Sequence, residues 1–328
     1  ANSVTEVNIK DVGVKRGLNS AFHDKWNQNC DTAECNDESK IYNHQRLKAI
    51  LFHLLSSIYF SKFSGEGDLA LSFSGCGFLG VYHFGVLHGL NRSGKTLMTR
   101  VKRCAGASAG SLVAALWTFR PDDTEKGFND LIKMAKEVHE LRFGVLSSSF
   151  VFDERLRKVV DLYIPDDVSM AQGRLFISLT NQKNNVNRII SEFPSRDYLI
   201  ECLLASCYIP FYSGSNPPCI DGEQYIDGGF TNNLPIFEDM HTVTISPFSG
   251  SAVIAPNDHN LINPIREWRL RIGRQELKVN VQNMVRGAQA LFPPDIKILK
   301  NYYDMGQRDA MKFLLELNIL ERQYGDAV

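Results

Sequence analysis

Apolar and polar positions divide the chain into a polar beginning and a long body of strand and helix signals. Residues 1–43 carry clustered Asn, Asp and Cys without a sustained period, and read as an extension with little regular structure. From Arg46 to Phe63 the pattern changes: Leu47, Ile50, Leu51, Leu54, Leu55, Ile58 and Tyr59 recur at helical spacing. This helix either packs on the domain that follows or lies on a membrane surface, and its weakly basic polar face favours packing. Leu69 to Phe73 is a short apolar run ending in Ser74-Gly75-Cys76-Gly77-Phe78-Leu79-Gly80, followed by a helical pattern over Val81 to Leu90. Val101 to Cys104 repeats the arrangement as a buried strand, followed by GASAGS at 106–111 and a helical run from Leu112 to Trp117.

Helical periodicity then covers Thr124 to Phe143 and Asp153 to Tyr163, joined by the apolar, serine-rich loop 144–150. Leu175 to Thr180 and Val186 to Glu192 read as strands, and residues 197–208 as a helix stopped before Pro210. Asp221-Gly222 marks a turn ahead of Tyr225-Ile226-Asp227-Gly228-Gly229-Phe230, and Val243 to Ser246 is another buried strand. Gln275 to Leu291 and Asp295 to Leu320 read as mostly helical, broken at Pro293-Pro294. The expected organisation is an extension over 1–65 with one helix, then one α/β domain over 66–328 with C-terminal helices.

Composition narrows the function classes. The 328 residues are 44% hydrophobic and 22% charged, with Lys plus Arg at 36 against Asp plus Glu at 37. Such a balance argues for no nucleic-acid partner, and partners must be read from sites. No stretch approaches the 18 or so uninterrupted apolar residues of a transmembrane helix. Seven cysteines are too scattered for a disulfide scaffold. Cys76 and Cys104 sit in apolar segments as buried thiols, Cys30 and Cys35 form the candidate pair, and no matching His or Cys group supports zinc. The opening at Ala1, that pair and the sequon Asn91-Arg92-Ser93 lean towards secretion.

GASAGS carries the candidate chemistry. Between a strand and a helix, a G-x-S-x-G pattern presents a serine on a sharp turn that the flanking Gly106 and Gly110 make possible, here Ser108. At a helix N-terminus, free N–H groups favour developing negative charge. The earlier glycine turn is weighed first as a dinucleotide site, but the second strand ends in Cys104 where that fold wants an acidic residue, and no G-K-[ST] makes a phosphate loop. Consecutive N–H groups over Gly75, Cys76 and Gly77 suit an oxyanion hole instead.

A serine hydroxyl needs a base. Of eight histidines, only His241 and His259 follow in the order Ser, Asp, His, yet His241 sits at a strand's start and His259 in an Asn/Asp-rich loop. Asp227, after a strand-like Tyr225-Ile226 and before two glycines, fits a carboxylate that takes the proton itself, provided burial raises its pKa.

LSFSGCGFLGVYHFGV at 71–86, GASAGS at 106–111 and YIDGGFTNNLP at 225–235 resemble the patatin-like phospholipase family. GCGFLGVYHFGV, ISPFSG at 245–250 and LFPPD at 291–295 are similar to the branch containing adipose triglyceride lipase and adiponutrin. The resemblance spans residues 68–320. It implies a three-layer α/β/α fold on a central, mostly parallel sheet and a Ser-Asp dyad, with Ser108 as nucleophile and Asp227 as base. Gly75, Cys76 and Gly77 form the oxyanion loop, which Gly80 closes, and no metal or organic cofactor is required. Leu79 stands where many members carry Arg or Lys, which shifts the expectation from phosphate headgroups to neutral esters.

The expected function is therefore a lipid acyl hydrolase on acylglycerols or phospholipids, working through an acyl-serine. A binding or storage protein using the same apolar pocket, and a transacylase, are the alternatives. Its partner is a lipid ester at a membrane or lipid-droplet interface, reached through helix 46–63 or loops near the site. The branch is usually cytoplasmic or droplet-associated, in conflict with the signs of secretion.

Overall fold

The computed structural model describes residues 63, 65–141, 152–214, 216–258, 268–272 and 275–321. The extension over 1–62, the loop 144–150, Cys30, Cys35 and His259 lie outside the described residues. At the centre is a seven-stranded sheet. Its strands are β1 (Leu69–Phe73), β2 (Val101–Gly106), β3 (Leu175–Asn181), β4 (Asn187–Ile190), β5 (Cys219–Ile220), β6 (Glu223–Asp227) and β7 (His241–Ile245). They follow the order β5-β6-β3-β2-β1-β7, with β4 also paired to β3. β7, β1, β2 and β3 run parallel, while β4 and β6 oppose β3.

Every residue of β1 is buried, as expected of a parallel strand covered on both faces, and this is why LALSF reads as a continuous run without alternation. The flanking helices are α1 (Val81–Ser93), α2 (Lys95–Thr99), α3 (Ala109–Phe119), α4 (Thr124–His139), α5 (Phe152–Tyr163) and α6 (Arg196–Ser206). A short α7 (Gly229–Asn232) precedes β7, and α8 (Val281–Leu291) and α9 (Ile296–Glu316) complete the described chain. This is the α/β/α arrangement expected from the sequence. Asn91 and Ser93 of the sequon lie in the last turn of α1, with Ser93 buried, so the triplet is not on a surface loop.

One segment departs from expectation. Gln275–Lys278 is strand β9, paired with β8 (Arg269–Ile272) in an antiparallel hairpin, where the apolar spacing suggested helix. The buried Gln275 side chain donates to Ser246 Oγ at 2.9 Å, and Leu277 bridges to Gly250, which ties the segment to the domain in extended form. Asn280 then starts α8, its extended backbone and side chain capping the Asn283 N–H at 2.7 Å.

α1 and α9 approach closely. A side chain at Gly85 would collide with the Tyr303 carbonyl, and one at Gly306 with the Tyr82 carbonyl. The Tyr82 hydroxyl donates to Asp309 at 2.8 Å across the same contact. No helix among the described residues is long and apolar enough to cross a membrane.

Candidate active site

The site follows from how three strands share β3. Ile177 pairs with Gly106 of β2 and with Ile190 of β4, whereas Leu179 pairs with Arg188 of β4 and with Asp227 of β6. A strand has only two hydrogen-bonding edges, so β4 takes one, and β2 and β6 share the other end to end. β2 is parallel to β3 and β6 antiparallel, so both bring their C-terminal ends to the same junction, opposite Ser178. Ser108 lies two residues beyond the end of β2, and Asp227 ends β6. Sites of open sheets collect at such strand ends.

Ser108 occupies the turn between β2 and α3 with φ 52° and ψ −133°, a left-handed conformation that costs a non-glycine residue roughly 1–3 kcal/mol. Gly106 ends β2, and Gly110 lies in the first turn of α3, where any side chain would strike the Phe73 carbonyl of β1. The strained turn is anchored by its neighbours. The Ser108 N–H donates to Ser206 Oγ at 2.9 Å, and the Ser206 hydroxyl donates to the Ser178 carbonyl at 2.8 Å. The Ser108 carbonyl accepts from the Ser111 hydroxyl at 2.7 Å.

Asp227 is buried, and burial raises its carboxyl pKa to about 6; the Ser108 side chain, followed by the Gly229 N–H, hydrogen-bonds to it and limits the rise. Gly229 donates to Oδ1 at 2.7 Å. The backbone of Asp227 is held on both sides, its N–H by the Tyr208 carbonyl at 2.9 Å and its carbonyl by the Thr180 hydroxyl at 2.8 Å. This is a carboxylate made more basic by a dry setting and fixed against the serine.

β1 runs beside β2, with Phe73 opposite Gly106, and so brings the glycine turn to the elbow. The turn is not uniform. The Gly75 N–H donates to Asn233 Oδ1 at 3.0 Å, whereas the Cys76 and Gly77 N–H groups meet no acceptor among the described residues. Gly77 has φ +52°, and a side chain there would run into the Ala290 carbonyl of α8. Gly80 is buried at the end of the turn, where α1 begins. Beneath it lies His83, wholly buried, its Nε2 2.9 Å from the Ser74 carbonyl and 3.2 Å from Cys76 Sγ. Burial lowers its pKa to about 4. The ring is therefore neutral, and the Ser74 carbonyl fixes Nε2 as the protonated nitrogen.

Two cavities open on Ser108. One, of about 120 Å³, is almost wholly apolar and lies among α3, α4, α5 and α6. It follows α3 from Ala109 past Leu112 to Leu116, a run of roughly 12 Å from Ser108 at the helical rise per residue. The other, of about 520 Å³, holds Gly75, Cys76, Gly77 and Asp227 as well as Ser108, and its lining also includes Asn233, Lys278, Asn280 and Asn283.

Among the described residues, the histidines stay away from this pair. His241 opens β7 opposite Leu69, at the far end of β1 from Phe73, roughly 13 Å along the strand. His88 meets the Tyr303 hydroxyl at 3.0 Å, and His139 ends α4. Cys76 and Cys207 are free and buried, with thiol pKa values pushed up by burial first and then by the Asp227 charge. Ser206, Asn233 and His83 are the positioning groups that reading along the chain missed, and only Asn233 carried a signal, through its place six residues after Asp227 in YIDGGFTNN.

Fold and site together define an α/β protein whose strained elbow serine faces a buried aspartate between two cavities. Residues 71–240 match the description "Patatin-like phospholipase", and the chain belongs to that family. It is 41% identical over 252 residues to patatin-like phospholipase domain-containing protein 4 of Homo sapiens, covering 76% of this chain and 98% of that one. It is 38% identical to patatin-like phospholipase domain-containing protein 2 of Rattus norvegicus, over 79% of this chain and 54% of the relative. A third relative, the omega-hydroxyceramide transacylase of Mus musculus, is 36% identical over 78% of this chain and 42% of its own length. Apart from the first, the chain thus spans about half the length of these relatives.

Proposed function

We propose that the protein is a lipid acyl hydrolase that cleaves fatty-acyl esters through an acyl-serine. The observation that carries the reading is the buried Asp227 carboxyl, held by the Gly229 N–H at 2.7 Å and lining the same cavity as Ser108; burial raises its pKa to about 6. A base with this pKa is ionised at neutral pH, yet basic enough to take the hydroxyl proton as the serine attacks. Ser108 Oγ bonds to the ester carbonyl carbon while its proton passes to Asp227. The carbonyl oxygen, now an oxyanion, accepts from the N–H groups of Cys76 and Gly77, with Gly75 turned and held by Asn233. Collapse of the tetrahedral intermediate breaks the bond to the alcohol, which leaves with the proton from Asp227. Water, deprotonated by the same carboxylate, then releases the fatty acid and restores Ser108.

The two cavities give each half of an ester a berth. The apolar cavity along α3 suits an acyl chain, and the larger one, with its amide-lined wall, suits the departing alcohol. Leu79 is fully buried, so that position offers no cation for a phosphate headgroup, which supports neutral acylglycerols as substrates. Transacylation is a second reading, favoured by the size of the alcohol-side cavity: an acceptor alcohol seated there would take the acyl group in place of water, as the name of the ceramide relative describes for that protein. A storage role without turnover predicts no labelling of Ser108.

Lipid-product profiling on a mixed acylglycerol and phospholipid emulsion tests these readings. Wild type is expected to release fatty acid and to react with a fluorophosphonate at Ser108, and Ser108→Ala to do neither. Undiminished release by Ser108→Ala would sink the proposal, and acylated acceptor in place of free acid would favour the transacylase.

A further inference from the structure

Helix α8 is built inside out. Its inward face carries Arg286, buried and ion-paired with Asp258 through Nη2 to Oδ1 at 3.0 Å, together with Asn283, whose amide donates to the Ser249 and Lys278 carbonyls at 2.8 Å each. Its outward face carries Val281, Met284, Val285 and Ala288, at the spacing of a helical stripe, and leads to Leu291 and the following Phe292. Met284 is 71% exposed and Val281 57%. A helix that supports a core does the reverse, turning its apolar stripe inward. The β8–β9 hairpin beside it adds Trp268, 70% exposed, and Leu270.

This apolar surface is continuous with the candidate site. Leu270, Val279, Met284 and Leu291, together with Phe230 of α7, are exposed to solvent and at the same time line the larger cavity that holds Ser108 and Asp227. A protein partner seated on these residues would close the entrance, whereas a lipid phase would deliver substrate through it. Two of the cations at this surface have partners within the protein: Arg269 pairs with Glu276 at 3.7 Å, and the Lys278 ammonium donates to the Asp258 carbonyl at 3.3 Å.

We propose that the outward face of α8 and the β8–β9 hairpin form the surface by which the protein settles on a lipid phase, with the mouth of the larger cavity opening into that phase. The inference rests on reading the Ser108 site as a lipid acyl hydrolase. Apolar side chains embedded at the headgroup boundary drive such binding, so it should persist on uncharged lipid and in high salt.

The test is flotation of the full chain with phosphatidylcholine vesicles and with a triolein emulsion coated by the same lipid. Wild type and Ser108→Ala are expected to float equally, in low and high salt. Val281→Glu combined with Val285→Glu, both exposed and neither lining the cavity, is expected to weaken flotation by about tenfold or more, since charge must be taken into the interface. Emulsion turnover should fall with it, while hydrolysis of soluble p-nitrophenyl butyrate stays within about twofold, the scale of a surface change that leaves the fold intact. The docking face is overturned if the double variant floats like wild type, or if it loses soluble-ester turnover in the same proportion. It is also overturned if wild type elutes as a dimer that the variant splits, for then a second copy covers the face. Retained esterase activity in Ser108→Ala would remove the hydrolase reading alone, and the flotation comparison would still stand or fall by itself.

Discussion

The Ser108 N–H ends on the Ser206 hydroxyl, 2.9 Å away, and that hydroxyl in turn hangs from the Ser178 carbonyl at the junction of β2 and β6. The strained Ser108 turn is thus tied to the strand along which Asp227 is registered. Ser206→Ala leaves a buried N–H without a partner and should cost about 1–3 kcal/mol of stability. Because the hydroxyl does not reach the cavity, we expect kcat to fall by about tenfold, the result of a small misplacement of the serine, with KM little changed. Thermal unfolding and steady-state kinetics on a soluble ester check both, and Ser206→Thr, which keeps the hydroxyl, should recover part of the loss.

As the proposed base, the Asp227 carboxyl should set the acid limb of activity. With its pKa raised to about 6 by burial, kcat/KM should be flat above pH 7 and drop by about tenfold per unit below pH 6. A flat profile to pH 4.5 would exclude Asp227 as the base.

The same shift has a stability sign. Folding raises the Asp227 pKa from 3.8 to about 6, so the folded protein holds this proton more tightly than the unfolded chain. The favourable contribution is present below pH 4 and is lost as pH rises through 6, so the ionised form costs about 3 kcal/mol at pH 7. Asp227→Asn, which keeps an oxygen for the Gly229 N–H, should therefore be inactive yet more stable than wild type at pH 7.5. The gain should vanish near pH 4, as denaturant titrations at the two pH values would reveal.

His83 runs the other way. Folding lowers its pKa from 6.5 to about 4, so its contribution is present above pH 6.5 and lost as pH falls through 4, again on the scale of about 3 kcal/mol. His83→Gln, which can still donate to the Ser74 carbonyl, should flatten that acid limb of stability and leave the pH profile of kcat/KM with its step near 6.

Leu112 lines the apolar cavity one helical turn from Ser108. Leu112→Trp should fill it about 6 Å from Ser108, by the helical rise. Turnover of butyryl esters should survive, while palmitoyl esters lose about tenfold or more, a penalty in keeping with overpacking of 1–3 kcal/mol. Equal losses on both chain lengths would remove the acyl chain from this cavity.

Much of this architecture can be read along the chain where local pattern and fold agree. β1, its glycine turn, the elbow and the end of β6 each announce themselves by short apolar runs stopped by glycine, and the position of His241 at the start of β7 was visible in the same way. The hairpin at Gln275–Lys278 was not, because Leu277, Val281 and Met284 keep helical spacing while the deciding contacts come from Ser246 and Gly250, far off in sequence. Asn233 and Ser206 belong to the same category. Asn233 acts on Gly75 across 158 residues, and Ser206 on Ser108 across 98, separations at which an ordinary polar residue gives no local sign of its task.

The close approach of α1 and α9 carries a practical consequence for dissecting this protein. The family match ends at residue 240, but Gly85 and Gly306 let α9 lie against the very helix that follows the Gly75–Gly80 turn, backbone against backbone. A fragment cut at the end of the match would bare the notch at Gly85 and leave α1, the helix that follows the glycine turn, without this neighbour. A fragment meant to keep this packing should therefore retain α9.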